Sequence, residues 1–141
     1  MINRGARRPS NRLNHKLKHG TEKQRKAILP KTASGEARFS FAITEPDAGT
    51  NTFKITTSAK RREDGSYKLS ESKHFITGFK TSPHCLVVAR TDAYDDSART
   101  KGLTLFIIDP HSPGIEATEM DLGIHLPEKN YDALQRHPLL Q

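Results

Sequence analysis

The chain has 141 residues, of which 33% are apolar and 28% are charged, and its formal net charge is +7 at pH 7. This length suffices for one ordinary domain with a flanking segment and is short for a two-domain enzyme. No run approaches the roughly eighteen apolar residues that a membrane-spanning helix requires, so we expect a soluble protein.

The positive charge is concentrated at the amino terminus. Residues 1–31 hold ten Lys or Arg and one Glu, whereas residues 32–141 hold thirteen basic and fifteen acidic residues. Such an arm is suited to contact nucleic acid or an acidic membrane surface, and its Arg-rich start has some features of an organelle transit peptide without the serine enrichment. A solvated, partly disordered leader is the alternative that we favour.

Two helical segments are predicted before the first strand. A short helix is expected within residues 10–20, where Leu residues recur at helical spacing. Thr21 and Gln24 then have the spacing of a capping box, and residues 22–29 are rich in helix formers. We expect this second helix to end before Pro30, because proline removes a backbone donor and disfavours helical geometry in the residue before it.

From residue 37 onward the pattern is that of short strands, with apolar residues at alternate positions and an Asp-Gly hairpin turn at residues 64–65. The predicted strands are residues 37–45, 52–62, 67–77, 85–90, 103–108 and 115–122. The connections are too short for helical crossovers, which predicts antiparallel pairing. We therefore expect a mainly β fold, an antiparallel β-barrel of six to seven short strands, preceded by a short N-terminal helical segment.

The turn between the first two strands is the strongest candidate for ligand binding. It reads Phe41-Ala-Ile-Thr-Glu-Pro-Asp-Ala-Gly-Thr-Asn-Thr52. Pro46 fixes its own φ, and Gly49 supplies either a positive φ or room for a close approach. Backbone N–H groups turned to one side of such a loop can hold an anion, and the threonines add hydroxyl groups. A loop that only reverses the chain is the alternative.

Other chemistry has little support in the sequence. The seven histidines lack the spacing of a metal site and there is no Cys-x-x-Cys pair, so no metal site is predicted. The single cysteine, Cys85, heads an apolar strand, where we expect it to pack, and its lack of a disulfide partner fits a reducing compartment. Glu45 and Asp47 lie on the turn, where we expect them to face solvent rather than to form an acid–base pair.

The turn resembles the signature of the acyl-CoA dehydrogenase family, whose usual form has Thr-Glu-Pro, then Ala-Gly, then Ser and Asp. A later stretch, Lys73-His-Phe-Ile-Thr-Gly78, is similar to the family's second flavin-binding stretch. Three further segments follow in the family's order: Leu86-Val-Val-Ala-Arg-Thr91, Gly102-Leu-Thr-Leu-Phe-Ile-Ile-Asp109 and Pro113-Gly-Ile-Glu116. Together these segments place the resemblance at about residues 19–129.

The resemblance implies three segments. Residues 1–31 would be a basic segment with a remnant of the helical amino-terminal domain, residues 32–129 the middle β-barrel domain, and residues 130–141 a divergent tail. The family's catalytic carboxylate lies in a carboxy-terminal helical bundle that this sequence does not resemble. We therefore expect an incomplete acyl-CoA dehydrogenase without a catalytic residue of its own, which binds FAD weakly if at all, does not turn over substrate and lacks most of the family's homo-oligomeric contacts.

The family also supplies candidate site residues. Its members hold FAD against the middle domain and oxidise an acyl-CoA thioester between its α and β carbons. Carried over by motif, the contacts would be Phe41, Ile43 and Thr44 with the isoalloxazine, Gly49 and Thr50 with the pyrophosphate, Phe75 beside the ring and Thr77 with flavin N5. Thr50 stands where the family usually has Ser, and the hydroxyl is kept. Core packing is the alternative for Ile43 and Phe75.

Several alternatives stay open. Acyl-CoA oxidases share the middle domain with the dehydrogenases. A non-enzymatic β-barrel binding module, whose basic arm contacts nucleic acid, is a different class of function, although the strands show no basic strip interleaved with aromatic residues. A gene fragment without function is a third possibility. The sequence has no clear signal peptide and fits the cytoplasm or the mitochondrial matrix.

Overall fold

The computed structural model of the chain describes residues 19–70, 72–120 and 131–136. The chain divides into two compact units, residues 1–38 and residues 39–141. The helix predicted within residues 10–20 lies almost entirely outside the described residues. Within the described ranges, no helix is both long enough and apolar enough to cross a membrane.

The described part of the first unit contains the helix α1 (Glu22–Ala33). The predicted capping box is confirmed: the Gln24 N–H donates to Thr21 Oγ1 at 3.2 Å, and the Thr21 N–H donates to Gln24 Oε1 at 2.9 Å. The predicted end before Pro30 is wrong, since α1 continues through it. Pro30 lacks only its own donor, and its carbonyl still accepts the N–H of Ser34 at 3.0 Å.

Two β-sheets form the described part of the second unit. Its strands are β1 (Phe39–Ala42), β2 (Ser58–Arg61), β3 (Tyr67–Ser70), β4 (Lys73–Thr77), β5 (His84–Arg90), β6 (Leu103–Ile108), β7 (Ile115–Met120) and β8 (Tyr131–Arg136). One sheet has the order β1-β5-β2-β3, with β6 also paired to β5, and the other has the order β4-β8-β7. The prediction of a mainly β fold with a helix near its start is therefore confirmed.

The prediction of an antiparallel barrel is wrong. β1 runs parallel to β5, with Phe39 opposite His84, and β2 meets β5 in parallel orientation where Ser58 lies opposite Arg90. The larger sheet is mixed, and over the residues that the structure describes the sheets do not close into a barrel. The prediction considered connections between consecutive strands, whereas β1 and β5 are separated by three strands. The turns between those strands restore the chain direction without a helical crossover.

The predicted strand over residues 52–62 is also wrong in its first part. Thr52–Lys54 form a short 3-10 turn, and only Ser58–Arg61 form a strand. The reason is a buried side chain: Arg90 donates to the carbonyl oxygens of Phe53 at 2.6 Å and Ile55 at 3.1 Å. These carbonyl groups are thus satisfied without a neighbouring strand.

The hairpin predicted at residues 64–65 is confirmed, because β2 and β3 pair antiparallel across it. The strand predicted over residues 67–77 instead divides into β3 and β4, which belong to different sheets. The strand β8 lies in the tail where the sequence indicated no element, and its backbone pairs with both β4 and β7.

The larger sheet carries apolar side chains on both faces, because successive residues of a strand point to opposite sides. The Val87 cluster comprises Ala42, Ile76, Phe79, Cys85 and Val87. The Val88 cluster comprises Ala48, Ile55 and Val88, with Phe41, Ile43, Leu103 and Leu105 packed against it. Cys85 is fully buried, as expected for a packing residue.

Candidate functional site

The turn that follows β1 lies directly beside β4. The N–H of His74, the second residue of β4, donates to the carbonyl oxygen of Thr44 at 2.9 Å. The family resemblance implied that these two segments contact one flavin, and the structure joins them by a direct hydrogen bond. The carbonyl of Thr44 is thereby occupied. Its N–H and hydroxyl groups have no protein partner among the residues that the structure describes.

A buried ion pair joins the same two segments. Lys73 Nζ lies 2.7 Å from Glu45 Oε1 and donates to the carbonyl oxygen of Ile43 at 3.1 Å, and the Lys73 and Glu45 side chains are only 2% and 3% exposed. Glu45 Oε2 accepts the N–H of Thr56 at 2.6 Å and its hydroxyl at 2.8 Å. Glu45 Oε1 accepts the N–H of Thr57 at 3.0 Å and also its hydroxyl. The expectation that Glu45 faces solvent is therefore wrong.

These contacts fix the protonation state of Glu45. Burial by itself raises the pKa of this carboxyl group, but the hydrogen bonds from Lys73, Thr56 and Thr57 and the charge of Lys73 outweigh it, so that the pKa falls from 4.5 to about 2. Burial lowers the pKa of Lys73 from 10.5, while Glu45 opposes that shift. At neutral pH Glu45 is an ionised acceptor with five donors, which does not suit it to remove a proton from a substrate.

Phe75 occupies an irregular position in β4. The register between β4 and β8 shifts between Lys73 and Ile76, which is the mark of a β-bulge. Phe75 has φ 56°, a left-handed conformation found at no other non-glycine residue in the described ranges. Lys73 and Ile76 are both buried, whereas the Phe75 side chain is 51% exposed. The bulge thus breaks the strict alternation of the strand and leaves the aromatic ring on the surface.

The remaining candidate residues have simpler surroundings. Phe41 and Ile43 are half-buried and pack against the Val88 cluster, as the core-packing alternative expects for Ile43. Gly49 does not have a positive φ, and a Cβ atom built on it meets no atom of the described residues within 4 Å. Thr50 is exposed and Thr77 is half-buried. The turn conformation therefore does not require glycine at position 49. Of the two roles predicted for Gly49, the positive φ is excluded, and room for the close approach of a ligand stays a prediction.

Sequence reasoning missed a second buried cation, Arg90, which is 6% exposed. Besides Phe53 and Ile55, its guanidinium donates to the carbonyl oxygens of Arg99 at 3.1 Å and Lys101 at 3.0 Å. It therefore links β5 to the segments on either side of that strand. The signal for both buried cations was present in the sequence, since Lys73 and Arg90 each stand in an apolar strand.

The described residues offer binding groups rather than a reactive centre. Asp47 is exposed, as expected. Within the ranges that the structure covers, no group of three or more His, Cys, Asp or Glu residues could hold a metal ion. Among the described residues, the site presents an exposed aromatic ring, two donor groups of Thr44 without a protein partner and an open glycine turn.

Comparison with known proteins identifies the family. The family model described as the middle domain of acyl-CoA dehydrogenases matches residues 40–130. The chain belongs to the acyl-CoA dehydrogenase family. The match runs from the second residue of β1 past the end of β7, so both the turn after β1 and the bulged strand β4 lie within the matched middle domain.

Individual acyl-CoA dehydrogenases support the assignment. The chain is 38% identical over 116 residues to the acyl-CoA dehydrogenase FadE12 of Mycobacterium tuberculosis, a match that covers 81% of this chain and 29% of that protein. The structure of butyryl-CoA dehydrogenase from Megasphaera elsdenii matches with a TM-score of 0.77 and 30% identity over 88% of this chain and 32% of that one.

A further solved structure contains the reduced cofactor. It is a glutaryl-CoA dehydrogenase from Mycobacterium smegmatis in complex with FADH2, with a TM-score of 0.75 and 26% identity, and the match covers 89% of this chain and 30% of that one. The chain thus spans less than a third of the length of these three relatives.

Proposed function

We propose that this chain is the FAD-binding part of an acyl-CoA dehydrogenase, and that the turn after β1 together with β4 forms one wall of the flavin site. When bound, FAD supplies the redox chemistry, the oxidation of an acyl-CoA thioester between its α and β carbons. The family membership supports this proposal, as does the relative that was solved with FADH2. The observation that carries it is the direct hydrogen bond between Thr44 and His74.

The available groups fit a flat, hydrogen-bonding ring system. Thr44 offers an N–H and a hydroxyl to the pyrimidine edge of the flavin, while its carbonyl is held by His74. Phe75 offers an exposed ring to lie beside the isoalloxazine, and Thr77 offers a hydroxyl to N5. Phe41 and Ile43, half-buried at the end of β1, add apolar surface. These residues would bind and orient the cofactor rather than transfer protons.

The exposed turn at Gly49 and Thr50 fits the pyrophosphate. A phosphate group can approach backbone N–H groups most closely where no side chain intervenes, and Gly49 provides such a place. Because a Cβ at Gly49 would touch no atom within 4 Å in the part of the chain that the structure describes, the conformation there does not require glycine. A ligand that occupies this space is a physical reason for the glycine.

Loss of FAD binding can be separated from loss of folding by a set of variants. FAD is titrated onto the purified chain and onto Gly49→Val, Thr44→Ala/Thr77→Val and Thr118→Ala, with flavin fluorescence and absorbance as readouts. We expect the first two variants to lose about tenfold or more in affinity, which corresponds to about 1.4 kcal/mol. Gly49→Val should unfold at the same denaturant concentration as the wild type.

Thr118 is an exposed residue of β7, and its variant serves as the matched control with unchanged affinity. Absence of any flavin signal with the wild-type chain would contradict the proposal. So would equal affinity of the wild type and Gly49→Val.

A further inference from the structure

We infer that the buried ion pair of Glu45 and Lys73 positions the flavin-binding groups of Thr44 and Phe75, and that both charged residues are positioning residues of this site. The inference rests on the proposed function. Each charged residue adjoins one of the two segments: Glu45 follows Thr44 directly, and Lys73 lies two residues before Phe75. The pair therefore joins the two sides of the candidate site from within the protein.

Stability alone is a weak explanation for such a pair. Transfer of two charges out of water is costly, and well-packed apolar residues often replace a buried ion pair with no loss of stability. Here the lysine and the carboxylate are almost completely buried, and five donors surround the carboxylate. So many oriented contacts hold the backbone around Glu45 and Lys73 in one geometry. The consequences of this geometry concern the Thr44 N–H group and the Phe75 side chain.

Lys73 determines the direction of the Thr44 N–H group. The Ile43 carbonyl and the Thr44 N–H belong to one peptide unit, which is trans, so the two groups point in opposite directions. Lys73 Nζ holds that carbonyl at 3.1 Å on the buried side. The Thr44 N–H must therefore point away from the buried lysine. This is the N–H group proposed to meet the pyrimidine edge of the flavin.

Lys73 also determines the exposure of Phe75. In a regular strand, residues 73 and 75 would lie on the same side, so an inward Lys73 would bring Phe75 inward too. The left-handed conformation at Phe75 prevents this, although such a conformation costs a non-glycine residue about 1 to 2 kcal/mol. Because Glu45 anchors Lys73 inside and Ile76 is fully buried, the strand accommodates both residues only by means of the bulge.

The test is a variant that removes both charges and keeps the shape. We expect Glu45→Gln/Lys73→Met to fold and to bind FAD about tenfold more weakly than the wild type. In this variant the amide NMR signals of Thr44 and His74 should shift, and the amide hydrogen of His74 should exchange with solvent faster. The matched control, Lys80→Met/Glu119→Gln, removes an exposed pair whose charged atoms lie 3.5 Å apart, and it should change none of these readouts.

The readouts separate the inference from the proposed function. Wild-type amide signals and wild-type FAD affinity in the neutral variant would overturn the inference and leave the proposed function intact. A wild-type chain that binds no FAD would refute the proposed function and, with it, the assignment of both residues to a flavin site. Should the neutral variant fail to fold, Glu45→Gln alone is measured in the same way, and unchanged Thr44 and His74 signals with unchanged FAD affinity overturn the inference.

Discussion

Acid should weaken the fold through Glu45 in a pH range that the structure defines. The pKa of this group is about 2 in the folded chain, compared with an ordinary value of 4.5. A lowered folded-state pKa means that the unfolded chain binds the proton more tightly, so the stabilisation is complete above about pH 4.5 and is lost as the pH falls towards 2. A shift of about 2.5 units corresponds to about 3 kcal/mol.

The assay compares urea unfolding of the wild type and Glu45→Gln at a series of pH values. Glutamine does not titrate, so the wild type should lose about 3 kcal/mol more than the variant between pH 4.5 and pH 2. Asp64→Asn is the control, because hydrogen bonds from Ser66 also lower the pKa of Asp64 but its side chain is exposed. The control should keep most of the acid dependence of the wild type. Parallel pH profiles for the wild type and Glu45→Gln would refute the reasoning.

Three further changes test the backbone and the second buried cation by chemical denaturation. Phe75→Gly should be about 1 kcal/mol more stable than Phe75→Ala, because glycine tolerates the positive φ. At the control position Thr118, the alanine variant should instead be more stable than the glycine variant. A more stable alanine variant at both positions would contradict the left-handed conformation of Phe75. Arg90→Met should cost about 3 kcal/mol, because it removes the donors to the carbonyl of Ile55 in a buried hydrogen bond and to three further carbonyls in part-buried ones, and a loss below about 1 kcal/mol would argue against these contacts. Gly102→Ala should lower the free energy of unfolding by about 2 kcal/mol or more, since residue 102 has a φ of 74° and an alanine Cβ there would lie 2.7 Å from Asp92 Cβ. A variant as stable as the wild type would exclude that close contact.

Local features were predictable from the sequence. The capping box depends on two residues three positions apart, and the hairpin depends on a two-residue turn, so short-range patterns suffice for both. The buried strand β5 was evident from its apolar run. The prediction that α1 ends before Pro30 was wrong, because the loss of one backbone donor at proline does not end this helix.

Long-range features were not predictable, because hydrophobic periodicity does not identify partners. Glu45 and Lys73 are 28 positions apart, and the parallel partners Phe39 and His84 are still further apart. The bulge at Phe75 reverses the alternation on which the strand prediction relied. The family resemblance pointed to the turn and to β4 as two stretches of one site. Their direct hydrogen bond, and the ion pair behind it, became visible only in three dimensions.

The acceptors of the two buried cations, Lys73 and Arg90, differ in their response to acid. The four hydrogen-bond acceptors of the Arg90 side chain are backbone carbonyls, which do not titrate. Acid therefore leaves the acceptors between β5 and its flanking loops unchanged, whereas protonation of Glu45 weakens its ion pair with Lys73, one of the links between the turn and β4. Acid unfolding should therefore begin at the candidate flavin wall, while the Arg90 side of the molecule stays folded longest.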